Sequence, residues 1–381
     1  MSRISQSDSP GSSHAGVRDE SHDESHGAET VVTAIHDTRL VARIVRRVSM
    51  TYADGADARL DRPAFVRAAS GIAWVGNALA VAQDDANFVA IVDPADGSAR
   101  AITLPAGHNG LRQFDDGRGN KSRKLDIEAL AHVWADGTSR LIALGSGSRR
   151  RRDWLVLIEH LERAEPAMQL FQTSTFHERM REAERFSGSE LNVEGAVQCG
   201  DMLRILNRGN GAPNGDVHAI DATCEVNWRA LLAHANQPDS VAPPELMNIQ
   251  QYNLGALDGV RLTFTDATLA HASIGTDVAS SGYPMFYTAA AEASPDASCD
   301  GDVSGSAIGI VRYEAQGTNA PPMLTARHVP LLGEDGSLSN DKVEGIALHP
   351  ERHDRLYVVV DVDTHDRPSE LCEVELVGPW Y

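Results

Sequence analysis

The sequence predicts an all-β chain folded as a five-bladed β-propeller, its last blade closed by a strand from the N-terminal side. Three observations lead there. Five stretches read alike: Ser70-Gly71-Ile72, Glu128-Ala129-Leu130, Glu194-Gly195-Ala196, Asp258-Gly259-Val260 and Glu344-Gly345-Ile346. Each has a polar residue, usually a carboxylate, then a small residue, then the apolar start of a strand. By residue number they lie 58, 66, 64 and 86 positions apart, and repetition at such a period marks a repeated supersecondary unit. Each motif opens a run of short apolar strands bounded by turns. The last run is one strand short, while one unassigned strand precedes the first.

The first unit reads as Gly71–Val75, Asn77–Ala82, Phe88–Val92 and Ala99–Leu104, with an Asp93-Pro94-Ala95-Asp96-Gly97 turn before its fourth strand. Apolar runs of this length between Asp, Gly and Pro are strand and hairpin signals. The second unit runs Ile127–Trp134, Arg140–Leu144, Trp154–Ile158 and Met168–Gln172. The third runs Val193–Gln198, Met202–Leu206 and Asp216–Ile220, with a weaker outer strand before Leu254. Between them, Phe176 to Phe186 reads as a short helix rich in Glu and Arg. The fourth unit runs Val260–Thr265, Pro284–Ala289, Ala307–Tyr313 and Met323–His328. The fifth has Val343–Leu348, Arg355–Val360 and Leu371–Leu376. Leu40–Val45 belongs to no unit. Lent to the fifth, it closes the ring and removes an open edge. A sixth blade would have to come from 171–188 or 235–255, and neither holds four strand-like runs. A β-sandwich with insertions leaves the recurring acid-small-apolar motif unexplained.

Residues 1–36 stand apart. Ser, Gly, Asp, Glu and His dominate them, and such a segment cannot bury enough surface to offset its ordering entropy. They read as a disordered acidic tail, whose His14, His22 and His26 are solvated, and 37–381 as a single propeller domain. The 381 residues carry a formal charge of −20, which argues against nucleic acid, because phosphate binding needs a basic surface. No apolar run approaches the roughly 18 residues needed to span a bilayer, and 1–30 lack the basic-then-apolar pattern of a secretory signal. A cytoplasmic monomer without a membrane partner is expected. Cys199, Cys224, Cys299 and Cys372 are widely spaced, with no zinc-like pattern, and read as free thiols.

In a propeller the first strand of each blade lines the central channel. Because strands alternate in direction, the start of the first strand and the end of the second share one mouth. Ser70, Glu128, Glu194, Asp258 and Glu344 should therefore ring one opening. The second-strand ends add Gln83-Asp84-Asp85, Ser146-Gly147-Ser148, Asn207-Arg208, Glu292 and Asp361-Val362-Asp363. Four converging carboxylates need raised pKa values or a cation. Calcium, with its preference for six to eight oxygen ligands, suits them, and Glu128, Glu194, Asp258, Glu344 and Asp361 are its expected ligands. The other reading is structural, with the acids accepting backbone hydrogen bonds and pinning blade to blade.

The Gly145-Ser146-Gly147-Ser148 loop runs into Arg149-Arg150-Arg151-Arg152. Exposed amides and guanidinium groups suit an anion, so Ser146, Ser148, Arg149, Arg150 and Arg208 are the expected substrate contacts. Solvated arginines paired with surface acids are the alternative. No nucleophile elbow, P-loop or His-Glu-x-x-His motif is present. The acidic loop from Asp296 to Asp302 lacks EF-hand spacing and reads as solvated. His132, His218, His271 and His349 do not converge.

Leu125-Asp126-Ile127-Glu128-Ala129, Asn192-Val193-Glu194-Gly195, Lys342-Val343-Glu344-Gly345-Ile346 and the Leu144–Arg149 continuation resemble the Glu-Gly signatures of bacterial phytase-like, or esterase-like, propeller domains and their uncharacterised relatives. A second likeness is to calcium-activated nucleotidases. It implies five blades and calcium in an acid-lined channel, with Glu128, Glu194, Asp258 and Glu344 around the ion; Ser70 departs from the pattern. The resemblance implies a calcium-dependent hydrolase of a phosphate ester or similar anionic substrate. In it Glu128, Glu194 or Glu344 would be the general base, with Arg149, Arg150 or Arg208 countering substrate charge. The alternative is a non-enzymatic propeller binding a protein or small ligand.

Overall fold

Short apolar runs, buried along their whole length in strands such as Phe88–Val92 and Met285–Glu292 and alternately buried in outer ones such as Glu370–Val377, produce the strands of this computed structural model, which describes residues 31–270, 284–297, 299, 301–314, 323–362 and 364–381. The fold is mostly β, in a nearly closed arrangement of antiparallel sheets. After β1 (Val32–His36), β2 (Val41–Ser49) and the two-residue β3 (Thr51–Tyr52), four consecutive strands pair in order: β4 (Ala69–Val75), β5 (Ala78–Gln83), β6 (Phe88–Val92) and β7 (Ser98–Thr103). The next group is β8 (Ile127–Ala135), β9 (Thr138–Gly145), β10 (Trp154–Glu159) and β11 (Ala167–Gln172).

Helices α1 (Ser174–Glu182) and α2 (Glu184–Ser187) follow, where the sequence predicts one short helix. The third group is β12 (Val193–Cys199), β13 (Met202–Asn207), β14 (Asp221–Asn227) and β15 (Met247–Asn253), with α3 (Trp228–Asn236) inserted. Its third strand starts at Asp221, after the segment the sequence suggests. Asn207 pairs with Ala222, and 216–220 belong to the connecting loop.

A two-residue strand, β16 (Ala256–Leu257), forms a hairpin with β17 (Val260–Leu269), which leads the group β17, β18 (Met285–Glu292), β19 (Val303–Glu314) and β20 (Met323–Leu332). The last group is β21 (Lys342–Leu348), β22 (Arg355–Asp361) and β23 (Glu370–Val377). β2 completes it, running antiparallel to β23 from Val41 opposite Val377 to Ser49 opposite Glu370. The strand preceding the first unit thus pairs with the last, as its sequence suggests. β1, which the sequence places in the tail, instead lies parallel to both β15 and β20 and joins the third group to the fourth. Residues 1–30 of the expected tail, Asp363 and His271 lie outside the described residues.

The first strands of the groups are neighbours in a cycle: β4 lies against β8 and β21, β8 against β12, β12 against β17, and β17 against β21. Apolar residues fill the space between successive groups. Ala80, Val89 and Ile102 meet Leu130, Leu141 and Val156. Leu144 and Leu157 meet Ile205 and Cys224. Leu206 and Tyr252 meet Phe264 and Tyr287, Phe286 and Ile310 meet Val343 and Val358, and Tyr357 and Val359 meet Ile72 and Leu79. Burial at about 25 cal/mol per Å² of apolar surface makes each of these seams a principal source of stability. No helix among the described residues is long and apolar enough to cross a membrane. All four cysteines are free.

Candidate functional site

Each first strand carries a β-bulge, and the bulge decides which side chain enters the centre. Pairing skips Glu128 between Ile127 and Ala129, Glu194 between Val193 and Gly195, Glu344 between Val343 and Gly345, and Ser70 with Gly71 in β4. A bulge re-aims the extra residue, and these four side chains line one cavity of about 290 Å³. The small residue of the motif follows from crowding. A Cβ on Gly345 would lie 2.5 Å from the Ser70 carbonyl oxygen, and one on Gly195 would lie 3.0 Å from Asp266 Oδ1.

In β17 the bulge falls between Phe264 and Asp266. The equivalents of the motif are therefore Thr265 and Asp266, not Asp258. Asp258 is exposed in the β16–β17 turn with φ of 48°, away from the cavity, which corrects its assignment as a channel ligand. Asp266 is fully buried. Its Oδ2 accepts from the amides of Ile346 at 3.0 Å and Ile72 at 3.4 Å. Burial pushes its carboxyl well above the ordinary range, against the pull of those donors. The pinning role anticipated for the whole acid ring is carried here by this one residue.

The second-strand ends reach the same cavity: Asp84, Asp85, Arg208, Glu292 and Asp361 line it. Basic side chains lie between the acids: Arg208, expected from the sequence, and Lys124, Arg152, Lys342 and Arg67, to which sequence reading gave no role. Lys124 Nζ is 2.5 Å from Asp84 Oδ2 and 2.6 Å from Asp126 Oδ1. Asp126 Oδ2 pairs with Arg152 Nη1 at 2.9 Å and also accepts from Ser146 Oγ. Arg208 Nη2 donates to Glu292 Oε2 at 2.5 Å and Nη1 to Glu194 Oε1 at 3.5 Å. Lys342 Nζ sits 3.0 Å from Glu344 Oε1 and 3.6 Å from Glu292 Oε1. Arg67 joins Asp85, with Nε to Oδ2 at 2.9 Å, to Asp115 at 3.3 Å. The walls are chains of alternating sign.

These pairings set the protonation states. Burial pushes Glu194 up to about 8; Glu344 and Glu292 add to it and Arg208 opposes it. Burial with the Asp84, Asp126 and Glu194 carboxylates raises Glu128 well above its usual range. Burial likewise raises Glu344, and Asp85 rises to about 6 through burial and Asp84. Against the opposing effect of burial, Lys124 and Arg152 hold Asp126 below its ordinary value, and Lys342 with Arg208 do the same for Glu292.

Among the residues expected to contact substrate, Arg208 lines the cavity. Ser146 and Ser148 stand behind its wall; Ser148 Oγ accepts from Arg152 Nη1 at 2.6 Å. Arg149 and Arg150 are exposed and outside the lining, and Arg150 reaches Glu178 at 2.8 Å. From the arginine run only Arg152 turns inward, because a single 3-10 turn over Arg150–Arg152 reverses the chain. The loop expected to be solvated contributes Ala297 and Cys299 to the lining. Ala297 N donates to Glu190 Oε2 at 3.0 Å, and Gly301 N donates to Glu292 Oε1 at 2.9 Å. His132, His218 and His349 are not part of the lining; His365 is.

Calcium can be tested against this donor set. Asp84, Asp126 and Glu128 bring carboxylate oxygens within 4.8 Å of one another, and such hard donors suit the ion. The Lys124 ammonium, however, stands between Asp84 and Asp126 at direct contact. Glu194 and Glu344 belong to the separate Arg208–Lys342 chain. As arranged, the residues do not fit calcium, since a lysine takes the cation's place.

The chain belongs to DUF6929, a family of unknown function, whose model matches residues 65–376. No curated protein matches it. Among solved structures it is similar to an auxiliary nutrient binding protein from Bacteroides thetaiotaomicron, at 11% identity and a TM-score of 0.36, with 88% of this chain and 76% of that one covered. It is also similar to the extracellular domains 1-2 of Drosophila Semaphorin 1b, at 8% identity and a TM-score of 0.31, covering 90% and 88%. A third is the Cps50 (Swd1) β-propeller domain from Myceliophteria thermophila, at 10% identity and a TM-score of 0.29, covering 81% and 96%. Likenesses at this level carry no argument about activity. These names include neither the phytases nor the nucleotidases that the sequence motifs suggest.

Proposed function

We propose that this chain is a five-bladed β-propeller that binds a small polar ligand in the charged cavity at one end of its channel. The blade count is supported by the cyclic order of β4, β8, β12, β17 and β21 and by the apolar seams between their groups. One observation carries the binding reading. A cavity of about 290 Å³ is walled by polar side chains of several groups, among them Asp84, Lys124, Arg208, Glu292, Lys342 and Glu344, which ion pairs hold in place before any ligand arrives. Pre-organised polar groups in a concave site are what ligand orientation requires.

Thermal stability and calorimetric titration against a panel of sugars, organic acids, amines, phosphate and calcium test the proposal. Saturable binding should be weakened at least about tenfold in Glu194→Ala, roughly the 1.4 kcal/mol of one lost hydrogen bond. No saturable binding by any probe would refute it.

A second reading, hydrolysis of a phosphate ester or similar anionic substrate, is favoured by Glu194, whose carboxyl is held at about 8 beside Arg208. A carboxyl protonated near neutral pH can act as general acid. Calcium would enter that reaction only by displacing Lys124. Turnover of a phosphate-ester panel that vanishes in a folded Glu194→Gln variant would establish it. A protein ligand at the same mouth would instead be detected as a stoichiometric complex disrupted by that variant.

A further inference from the structure

We infer that the ligand of this cavity is a small, neutral, polyhydroxylated molecule of the size of a monosaccharide or cyclitol. The inference rests on the cavity being a binding site, and names what it takes.

The alternating walls carry the argument. Along each of them a carboxylate is followed within 2.5 to 3.6 Å by an ammonium or guanidinium group: Asp84–Lys124–Asp126–Arg152 on one side, Glu194–Arg208–Glu292–Lys342–Glu344 on the other. Beside Asp126 and Glu292, held ionised by Lys124, Arg152, Lys342 and Arg208, an ion of either sign meets a like charge next to an opposite one. It also gives up its hydration, at a cost of several kcal/mol that imperfect pairing does not recover. A hydroxyl group has no such conflict. It donates to a carboxylate oxygen and accepts from the neighbouring N–H at the same time, so a ring of hydroxyls can match a wall that alternates acceptors and donors.

Unused hydrogen-bonding capacity points the same way. Arg152 is 6% exposed and lines the cavity. Its Nη1 is committed to Asp126 and Ser148, which hold the guanidinium still, while its buried Nε–H has no hydrogen-bond partner. A buried donor left unsatisfied costs about 1–3 kcal/mol, and a ligand oxygen would recover it on a small shift of the guanidinium that brings Nε to the cavity surface. On the opposite wall Asn210 joins through its Oδ1, which accepts from Asn192 at 3.2 Å.

Size and polarity complete the class. About 290 Å³ lies at the lower end of ligand clefts, which run from about 300 to 1,000 Å³, so one ring fits and an extended chain does not. Among the described lining residues Phe114 and His365 are the only rings, too few for an aromatic or lipid ligand.

The experiment is calorimetric titration of the full chain with glucose, galactose, mannose and myo-inositol, and in parallel with phosphate, calcium and spermidine, in low and high salt. At least one polyol should bind saturably. Its affinity should change less than about twofold between 0.05 and 0.5 M NaCl, because a neutral ligand forms no screened ion pair. It should fall at least tenfold in Glu194→Ala and in the milder loop variant Asn210→Ala, and stay unchanged in Asp258→Asn on the exposed turn. Saturable binding of phosphate, calcium or spermidine alone, lost in the same variants, would overturn the polyol class while leaving the cavity a binding site. No saturable binding by any probe, or polyol binding indifferent to both cavity variants, would overturn both.

Discussion

Asp266 Oδ2 accepts the backbone amide of Ile346 at 3.0 Å, and the same oxygen accepts that of Ile72. One carboxyl from β17 thereby joins the motif of β21 to that of β4, at the point where these strands converge. Removing the acceptor leaves two buried N–H groups, each costing about 1–3 kcal/mol. Asp266→Ala is expected to lose about 2–5 kcal/mol in urea unfolding. Asp266→Asn keeps a carbonyl acceptor and, because burial already disfavours the ionised acid, should lose less than about 1 kcal/mol. Equal losses in both variants would show that the carboxyl does not pin these strands.

The buried acids give stability a definite dependence on pH. Glu194, held at about 8 against an ordinary 4.5, binds a proton in the folded chain where the unfolded chain has released it. Its contribution is fully present below pH 4.5 and is lost as pH rises toward 8, with a slope of at most about 1.4 kcal/mol per pH unit. Urea unfolding of wild type and Glu194→Gln at pH 5, 6.5 and 8 should show the variant gaining on wild type as pH rises. A difference that is constant or shrinks would contradict the protonated state.

Lys124 takes the place of a metal between Asp84 and Asp126. Lys124→Met should cost about 3–5 kcal/mol in chelator-treated buffer, the usual effect of stripping one partner from a buried pair. Calcium should then restore part of the loss to the variant, as a rise in Tm, and leave wild type unmoved. Equal calcium responses in the two proteins would mean that the lysine is not the internal counter-ion.

The β2–β23 seam separates apolar from ionic contributions. Arg43 pairs with Glu375 at 2.8 Å across it, with Arg43 half exposed. Glu375 also pairs with Arg355 at 2.8 Å, so the exposed partner is the one to remove: Arg43→Met should change stability by less than about 1 kcal/mol, as exposed pairs generally do. Val374, fully buried in the same strand, should cost about 2–4 kcal/mol as Val374→Ala, by lost transfer energy and the cavity left behind. Circular dichroism melts of the two variants decide between a seam held by packing and one held by charge.

The strand groups, the closing strand and the convergence of Glu128, Glu194 and Glu344 with Asp84, Glu292 and Asp361 were legible because they depend on short apolar runs between turn residues, a recurring motif and strand direction. Lys124 and Lys342 were within reach too, since Lys124-x-Asp126-x-Glu128 and Lys342-x-Glu344 repeat at the two-residue period that sends side chains to one face. Asp266 was not. Its strand carries the bulge several residues in, so an acid occupies the position held elsewhere by Gly or Ala, and Asp258-Gly259 in a hairpin turn imitates the motif. Which of four successive arginines turns inward depends on one 3-10 turn, and nothing in Arg149–Arg152 as a sequence distinguishes Arg152. β1 was lost to its setting, a five-residue strand abutting a polar segment.

The pairing of β2 with β23 also imposes an order on synthesis. The ribosome releases β2 more than three hundred residues before β23 exists, so throughout elongation an early strand waits with an unpaired edge. The groups between them can assemble as they emerge, yet the circle cannot shut until β23 has been synthesised. During that interval β2 is the part of the nascent chain most open to pairing with another copy or to capture by a chaperone.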